Sequence, residues 1–485
     1  MYIFPSAEQN KHSNFRKAIF MSNIKRSERP FGIRDKIGYL LGDFGNDFTF
    51  ILSSSFLLKF YTDVMGVSAF VVGIVIMLAR LVDAFTDVAM GRICDRSHGT
   101  KNGKFKPWIL RMCGPVALSS FLIYQSSFAD YSMTFKISWL VITYILWGSV
   151  FYTSINIPYG SMASAISREP DDRQSLSTYR TMGSTLAGVI IGAGIPLLAY
   201  EKIGDNTVLS GKAFTTIAGI FSILAVISYL LCYILTTERV SAPVPEKRER
   251  QPVKKLLGSL LTNRALISII VASVLMLLAQ LTLQSMANYV YPNYYGNTAA
   301  QSAATFAMLG SMLLSAAIAK PLARKIGKAE MSVASNLLAA GICLMLFFIR
   351  PENVWVYVLL NLISWIGLGI FSMVSWALIT DVIDYSEIKN GVREDGSVYA
   401  LYSFSRKLGQ AASAGLTGLL LTLIGYSQET AFERGVLDGI FSISTLVPSL
   451  GFIGLSAILW FWYPLKKREV EKNVEILRRK HENKI

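Results

Sequence analysis

The sequence predicts an all-α integral membrane protein of twelve transmembrane helices arranged as two six-helix bundles. Three observations predict it. Apolar stretches of about 20 residues, each long enough to cross the hydrocarbon as a helix, recur along almost all of the 485 residues. Charged residues make up 16% of the chain, well below the roughly 25% of a soluble domain, and mean hydropathy is positive. A charged, Pro-containing segment at 238–255 (ERVSAPVPEKRERQPVKK) divides the stretches six and six.

In chain order, residues 1–35 form a polar, basic tail without an apolar core, so no cleavable signal peptide is expected; Met21, followed by Lys25, Arg26 and Arg29, offers a second start. The spans fall at about 37–61, 67–91, 107–128, 136–162, 176–200, 213–237, 264–291, 299–321, 329–349, 354–381, 396–424 and 439–463. The organisation expected is therefore a tail at 1–35, an N-terminal bundle at 36–237, a linker at 238–262, a C-terminal bundle at 263–463 and a basic tail at 464–485. Segments 95–106 and 320–328, between spans 2 and 3 and spans 8 and 9, are both short, basic and Gly-containing, a weak internal echo between the halves.

The formal net charge of +15 reports topology rather than a nucleic-acid partner. Most Lys and Arg fall in the two tails and the connections on their side. The opposite connections hold only Lys136, Lys202, Lys212, Arg350 and Arg434. By the positive-inside rule both termini are cytoplasmic, which requires an even number of crossings. Cys94, Cys113, Cys232 and Cys343 lie in or beside spans without metal-ligand spacing and read as small apolar residues. His12, His98 and His481 lie in tails or a loop, which excludes buried histidine chemistry. No nucleophile–His pair, HExxH or phosphate loop lies in the spans, so no enzyme is expected.

The second span carries Arg80, Asp83 and Asp87 on one helix face. Mid-membrane charges cost roughly 2.5–3.5 kcal/mol each and persist where they face a protein interior or aqueous cavity. The face reads either as a charge pair locking helices together or as a cation site in a transporter. Other polar residues need the same explanation: Asp43, Asn46 and Asp47 in span 1, Tyr152, Thr153 and Asn156 in span 4, Arg180 in span 5, and Tyr402, Ser403, Arg406 and Lys407 in span 11. Converging on one cavity, they would supply the carboxylate, amide, hydroxyl and cationic groups that grip a polyhydroxylated ligand. Asp43 and Arg406 lie nearest in sequence to other charges and are expected to pair structurally.

From Gly38 to Pro464 the chain resembles the glycoside-pentoside-hexuronide:cation symporters, the melibiose-carrier family of the major facilitator fold. The strings that carry the likeness are FYTDVMGVS, ARLVDAFTDVAMGR, GKFKPWIL, VITYILWG, INIPYGSM, TDVIDYSEIKNGVRED and YSFSRKLGQA; INIPYGSM, SFSRKLGQA and WFWYPLKKREV look closest to β-glucuronide carriers. The resemblance implies a multi-pass plasma-membrane symporter that takes up a sugar with Na+, Li+ or H+ by alternating access, with no other cofactor. Its partners would be a small sugar, a monovalent cation and the bilayer. It places the cation, a metal ion if sodium, on Asp83 and Asp87, aided by Thr86 and Thr153, with Arg80 balancing charge. It places the sugar on Asp47, Arg180 and Lys407.

The match departs from the melibiose carrier at four positions. Thr86 replaces an asparagine, Asn156 a carboxylate, Gly160 an aromatic and Ser372 a tryptophan, although Trp376 lies one turn away as a stacking face. Asp47 stands where the glucuronide-type carrier has an amide and would repel a uronate, which favours neutral glycosides or pentosides. Segments 95–106 and 384–389 are expected to form gating ion pairs. The alternative function is a multidrug or metabolite exporter of the same fold.

Overall fold

A computed structural model describes residues 29–240, 263–390 and 395–482, apart from His98. Met21, His12 and most of the N-terminal tail and linker lie outside the described residues. Twelve long helices follow in order: α1 (Ile33–Asp63), α2 (Ala69–Arg96), α3 (Lys106–Ile123), α4 (Met133–Ile166), α5 (Pro170–Leu198), α6 (Gly211–Leu235), α7 (Arg264–Tyr294), α8 (Thr298–Ile326), α9 (Lys328–Ile349), α10 (Val354–Asn390), α11 (Asp395–Leu423) and α12 (Arg434–Trp462). Nine of these are long and apolar enough to cross a membrane by composition alone. The other three, α1, α3 and α11, carry too many polar or charged residues to pass that test, and α1 and α11 hold much of the predicted site.

The two halves repeat one packing scheme. Within the first, α1 lies on α5 and α6, α3 on α4 and α6, and α2 on α4; within the second, α7 lies on α11 and α12, α9 on α10 and α12, and α8 on α10. Twelve crossings return the chain to the face on which it began, here called the basic face. There, Asp35 is completely buried and paired with Arg29 and Arg239, both at 2.9 Å, and it accepts the backbone N–H of Thr237. Glu238 receives the backbone N–H groups of Lys104, Phe105 and Lys106, satisfying the otherwise open amino end of α3.

Several connections differ from expectation. Segment 384–389, read as a loop, continues α10, because no Gly or Pro interrupts the chain before Gly391. Segment 320–328 is mostly the last turns of α8; Pro321 is accommodated inside the helix, and the single residue Gly327 (φ 104°) turns into α9. Among the described residues the hydrogen bonds of segment 95–106 stay within the first half and residues 236–238 that follow it; Lys104 donates to the Asp95 carbonyl. The hairpin β1 (Tyr200–Ile203) and β2 (Asn206–Leu209), turning at Gly204 (φ 61°), links α5 to α6. The tail past Pro464 folds as α13 (Lys467–Glu482), with Val470 and Leu477 on a recurring face. All four cysteines are buried and free.

The bundles meet along three helix pairs, α2–α11, α5–α8 and α1–α7, and α2–α11 is the most extensive. Glycines permit its close approach: a Cβ on Gly73 would lie 2.8 Å from the Ala414 carbonyl oxygen, and one on Gly418 would collide with the Ala69 carbonyl. Thr422 of α11 accepts the backbone N–H of Phe70 at 2.9 Å, capping α2 from the other bundle. One apolar core runs through the first bundle into Met286, Tyr289 and Tyr291 of α7 and Phe441 of α12, so the face opposite the basic face is sealed.

Candidate functional site

Asp83 and Asp87 stand one helical turn apart on α2. The neighbouring α4 widens into a π-helical stretch, Leu146–Tyr152, and this brings two hydroxyls onto the carboxylates rung by rung. Ser149 donates to Asp83 Oδ1 at 2.5 Å, and Thr153 donates to Asp87 Oδ1 at 2.8 Å, with the Gly148 carbonyl 3.2 Å away. The Thr86 hydroxyl donates to the Asp83 carbonyl at 3.2 Å, leaving its lone pairs open. Two carboxylates and three hydroxyls are an all-oxygen set suited to a hard monovalent cation or a proton.

The second oxygen of Asp87 is engaged from the opposite bundle: Lys407 of α11 donates to Oδ2 and forms an ion pair with it. Lys407, placed by resemblance with the sugar, thus sits on the carboxylate ladder here. Asp83 has no cationic partner within 4 Å among the described residues. Arg80, three residues before it, lays its guanidinium 4.7 Å from the centre of the Phe50 ring.

The predicted sugar residues divide into two groups. In the first bundle, Arg180 pairs with Asp43 at 3.0 Å and lies 5.4 Å from the centre of the Tyr159 ring; Tyr159 stacks on Tyr39 and donates to its carbonyl. Gly160 lies beside this guanidinium, with a Cβ there at 3.9 Å from its Nη1, an ordinary contact distance. Asp47 is buried and, like Asp83, has no ion-pair partner within 4 Å among the described residues. Tyr152 stacks on Phe50, and Asn156 is half-buried one turn further along α4.

In the second bundle, Trp376 packs edge-on against Tyr402, and Arg406 lies about equally far from both rings, at 5.8 and 5.9 Å. Of the two residues expected to pair structurally, Asp43 holds Arg180, whereas Arg406 faces aromatic rings and has no ion-pair partner within 4 Å among the described residues. Tyr402 is fully buried and hydrogen-bonded to Ser273, so it acts as wall; Ser403 is exposed.

Hydrogen bonds between bundles cluster towards the sealed face. Lys59 of α1 is buried, paired with Asp63 at 2.7 Å, and donates to Asn293 at 2.6 Å and Tyr426 at 3.0 Å, with the Tyr289 ring 4.4 Å away. Asn288 donates to the Ser55 carbonyl, Ser302 to that of Ala193 and Thr305 to that of Gly192. Beneath this seal lies a cavity of about 440 Å³ bordered by both bundles, and among the predicted site residues only Arg80 borders it.

Sequence reasoning missed Ser149, Lys59 and this cavity. The four-residue spacing of Ser149 and Thr153, matching that of Asp83 and Asp87, was a usable signal for the first. An intramembrane lysine was a usable signal for the second.

The profile of the family described as MFS/sugar transport protein matches residues 38–467. The chain is 32% identical to the glucuronide carrier protein homolog of Escherichia coli (strain K12) over 92% of this chain and 96% of that one. It is 31% identical to the isoprimeverose transporter of Lactiplantibacillus pentosus over 92% and 91%. Among solved structures, that of a D-xylose-proton symporter superposes with a TM-score of 0.62 at 12% identity, covering 89% of this chain and 97% of that one.

Proposed function

The chain belongs to the MFS/sugar transport protein family, as a multi-pass membrane transporter of the glycoside-pentoside-hexuronide:cation symporter type, and we propose that it carries a neutral glycoside or pentoside into the cell together with one monovalent cation. One observation carries the reading. The Asp83–Asp87 ladder, with a hydroxyl on each rung, lies at the junction of the bundles and is tied across it by Lys407.

In the proposed cycle the empty carrier holds Lys407 on Asp87. A cation entering between Asp83 and Asp87, with Ser149, Thr153 and Thr86 as further oxygen donors, takes over the neutralising role. Lys407 is released towards the sugar, which also meets Asp47, Tyr152, Asn156 and Arg180. Cation and sugar thereby favour each other's binding although they touch different groups. Both termini are cytoplasmic in this reading, and the basic face is the inner one. The sealed opposite face then makes this an inward-facing carrier.

The magnitudes permit concentration. One charge moving down 100 mV releases about 2.3 kcal/mol, while each tenfold accumulation costs about 1.4 kcal/mol. Voltage alone therefore supports roughly fifty-fold accumulation. Absence of a uronate from the substrate range is supported by Asp47, whose carboxylate has no ion-pair partner within 4 Å among the described residues to offset a second negative charge.

The test is uptake into proteoliposomes of a panel of α- and β-glycosides, pentosides and uronides, with sodium, lithium or a pH gradient imposed separately. Gradient-driven accumulation of a neutral glycoside or pentoside is expected. If no cation gradient drives any sugar inward, or sugars move only outward against it, the symport reading fails.

A further inference from the structure

The cavity beneath the sealed face has a chemistry of its own. Its walls come from α1, α2 and α5 of one bundle and α7, α8, α10 and α11 of the other, and its volume of about 440 Å³ lies within the range of small-molecule sites. Among the described residues the only charged side chain on its wall is Arg80. Its polar groups are otherwise hydroxyls and side-chain amides, among them Gln284 on α7, Gln301 on α8, Asn361 on α10 and Gln410 on α11, and Trp365 adds an indole ring.

Several of these groups are unspent. Gln301 is 5% exposed; its Nε2 donates to Asn288 at 2.7 Å, but its buried Oε1 has no partner. Among the described residues no hydrogen bond engages the side chains of Gln284 or Gln410, or the indole N–H of Trp365. A buried acceptor without a donor is costly, and Gln301 Oε1 is one; with the half-buried side chains of Gln284, Gln410 and Trp365 also free to bond, the chamber suits a neutral ligand that both donates and accepts. Amides provide both functions without charge, and an indole face stacks on the C–H face of a pyranose ring.

We infer that this chamber is a second carbohydrate subsite, distinct from the Asp47–Arg180 and Lys407 groups, which holds a neutral glycoside on its way between the sealed face and the cation ladder. The inference rests on the sugar-transport reading and sharpens it. The amide-lined wall selects for hydroxyls, and Arg80 at its border places an incoming sugar next to the helix face that carries Asp83.

The experiment uses the full chain in proteoliposomes and a methyl β-D-xyloside derivative carrying a diazirine on its aglycone. On illumination, mass spectrometry is expected to find cross-links on α7, α8 or α10 at chamber residues such as Met308 and Trp365, and excess methyl β-D-xyloside should suppress them. Gln284→Leu and Trp365→Leu should each raise the KM of xyloside uptake about ten-fold, with kcat changed less than three-fold. If the wild type accumulates xyloside while cross-links fall only around Tyr152, Asn156 and Tyr402, the subsite is overturned and the symport reading stands. Cross-links that excess xyloside does not suppress also overturn it. If no sugar in the panel is transported, both fail together.

Discussion

Lys407 of α11 and Asp87 of α2 form an ion pair across the bundle interface, 320 residues apart in sequence, on a carboxylate whose other oxygen is already hydrogen-bonded to Thr153. A lysine in that position competes with any cation for Asp87. Lys407→Gln removes the competitor. Because both partners are partly exposed, the pair is worth about 1 kcal/mol or less. The half-saturating concentration of the coupling cation should therefore fall by up to about five-fold while sugar accumulation is lost, as read by cation-dependent calorimetry and by uptake. A cation affinity that weakens instead removes the competition from the cycle.

The two rungs of the ladder make separable predictions. Asp83→Cys or Asp87→Cys should abolish concentrative uptake while downhill sugar exchange continues. Ser149→Ala and Thr153→Ala each lose a hydrogen bond to a charged group, worth about 1.5–3 kcal/mol, and should weaken cation affinity by about ten-fold or more. Unchanged accumulation in both aspartate variants would remove this face as the cation site.

Lys59 ties the sealed face together through Asp63, Asn293, Tyr426 and the Tyr289 ring. Lys59→Met keeps the length of the side chain but removes its charge and donors, so the bundles should part more often at that face. In a Gly188→Cys background, a maleimide applied from that side should label the cavity several-fold faster with Lys59→Met than without it. Equal rates would show that the lysine does not hold the face closed.

Asp35 and Asp438 offer an internal comparison. Asp35 is completely buried between two arginines, whereas the Asp438–Arg350 pair, also at 3.0 Å or less, has an aspartate 46% exposed. Removing one member of a buried pair costs about 3–5 kcal/mol, and an exposed pair contributes about 1 kcal/mol at most. Asp35→Asn should lower Tm in detergent by about 5 °C or more, while Asp438→Asn should leave it nearly unchanged. Similar shifts for both would contradict the burial argument.

Twelve helices were legible because bilayer thickness sets a length that hydropathy reads directly, and Asp83 and Asp87 stood out because charge in such a stretch is expensive. The end of α10 was misread because 384–389 is polar, although polarity marks emergence from the membrane and only Gly391 offers a break. α13 was hidden in a basic tail, where Val470, Val474 and Leu477 are a short periodic signal among charges. Most of the site lay beyond reach for a different reason. That Lys407 meets Asp87, Arg180 meets Asp43 and Lys59 meets Tyr426 follows from how separate helices are brought together, and spacing along the chain carries no trace of it. The amides of Gln284 and Gln410, without hydrogen bonds among the described residues, and the unpartnered Oε1 of Gln301 sit on three helices that individually look unremarkable.

The glycine contact between α2 and α11 and the Lys407–Asp87 pair occupy the same two helices at different depths. From Gly73 to Asp87 is fourteen residues, about 21 Å along the axis. With the backbones pivoting where Gly73 and Gly418 touch, a tilt of only about 5° displaces Asp87 by roughly 2 Å relative to α11, enough to sever an ammonium–carboxylate hydrogen bond. The helix pair is a lever with its fulcrum at a contact that tolerates no side chain. Any change in that angle would reach the Asp87 carboxylate, and a methyl group on Gly418, which would meet the Ala69 carbonyl, would force such a change without touching any charge.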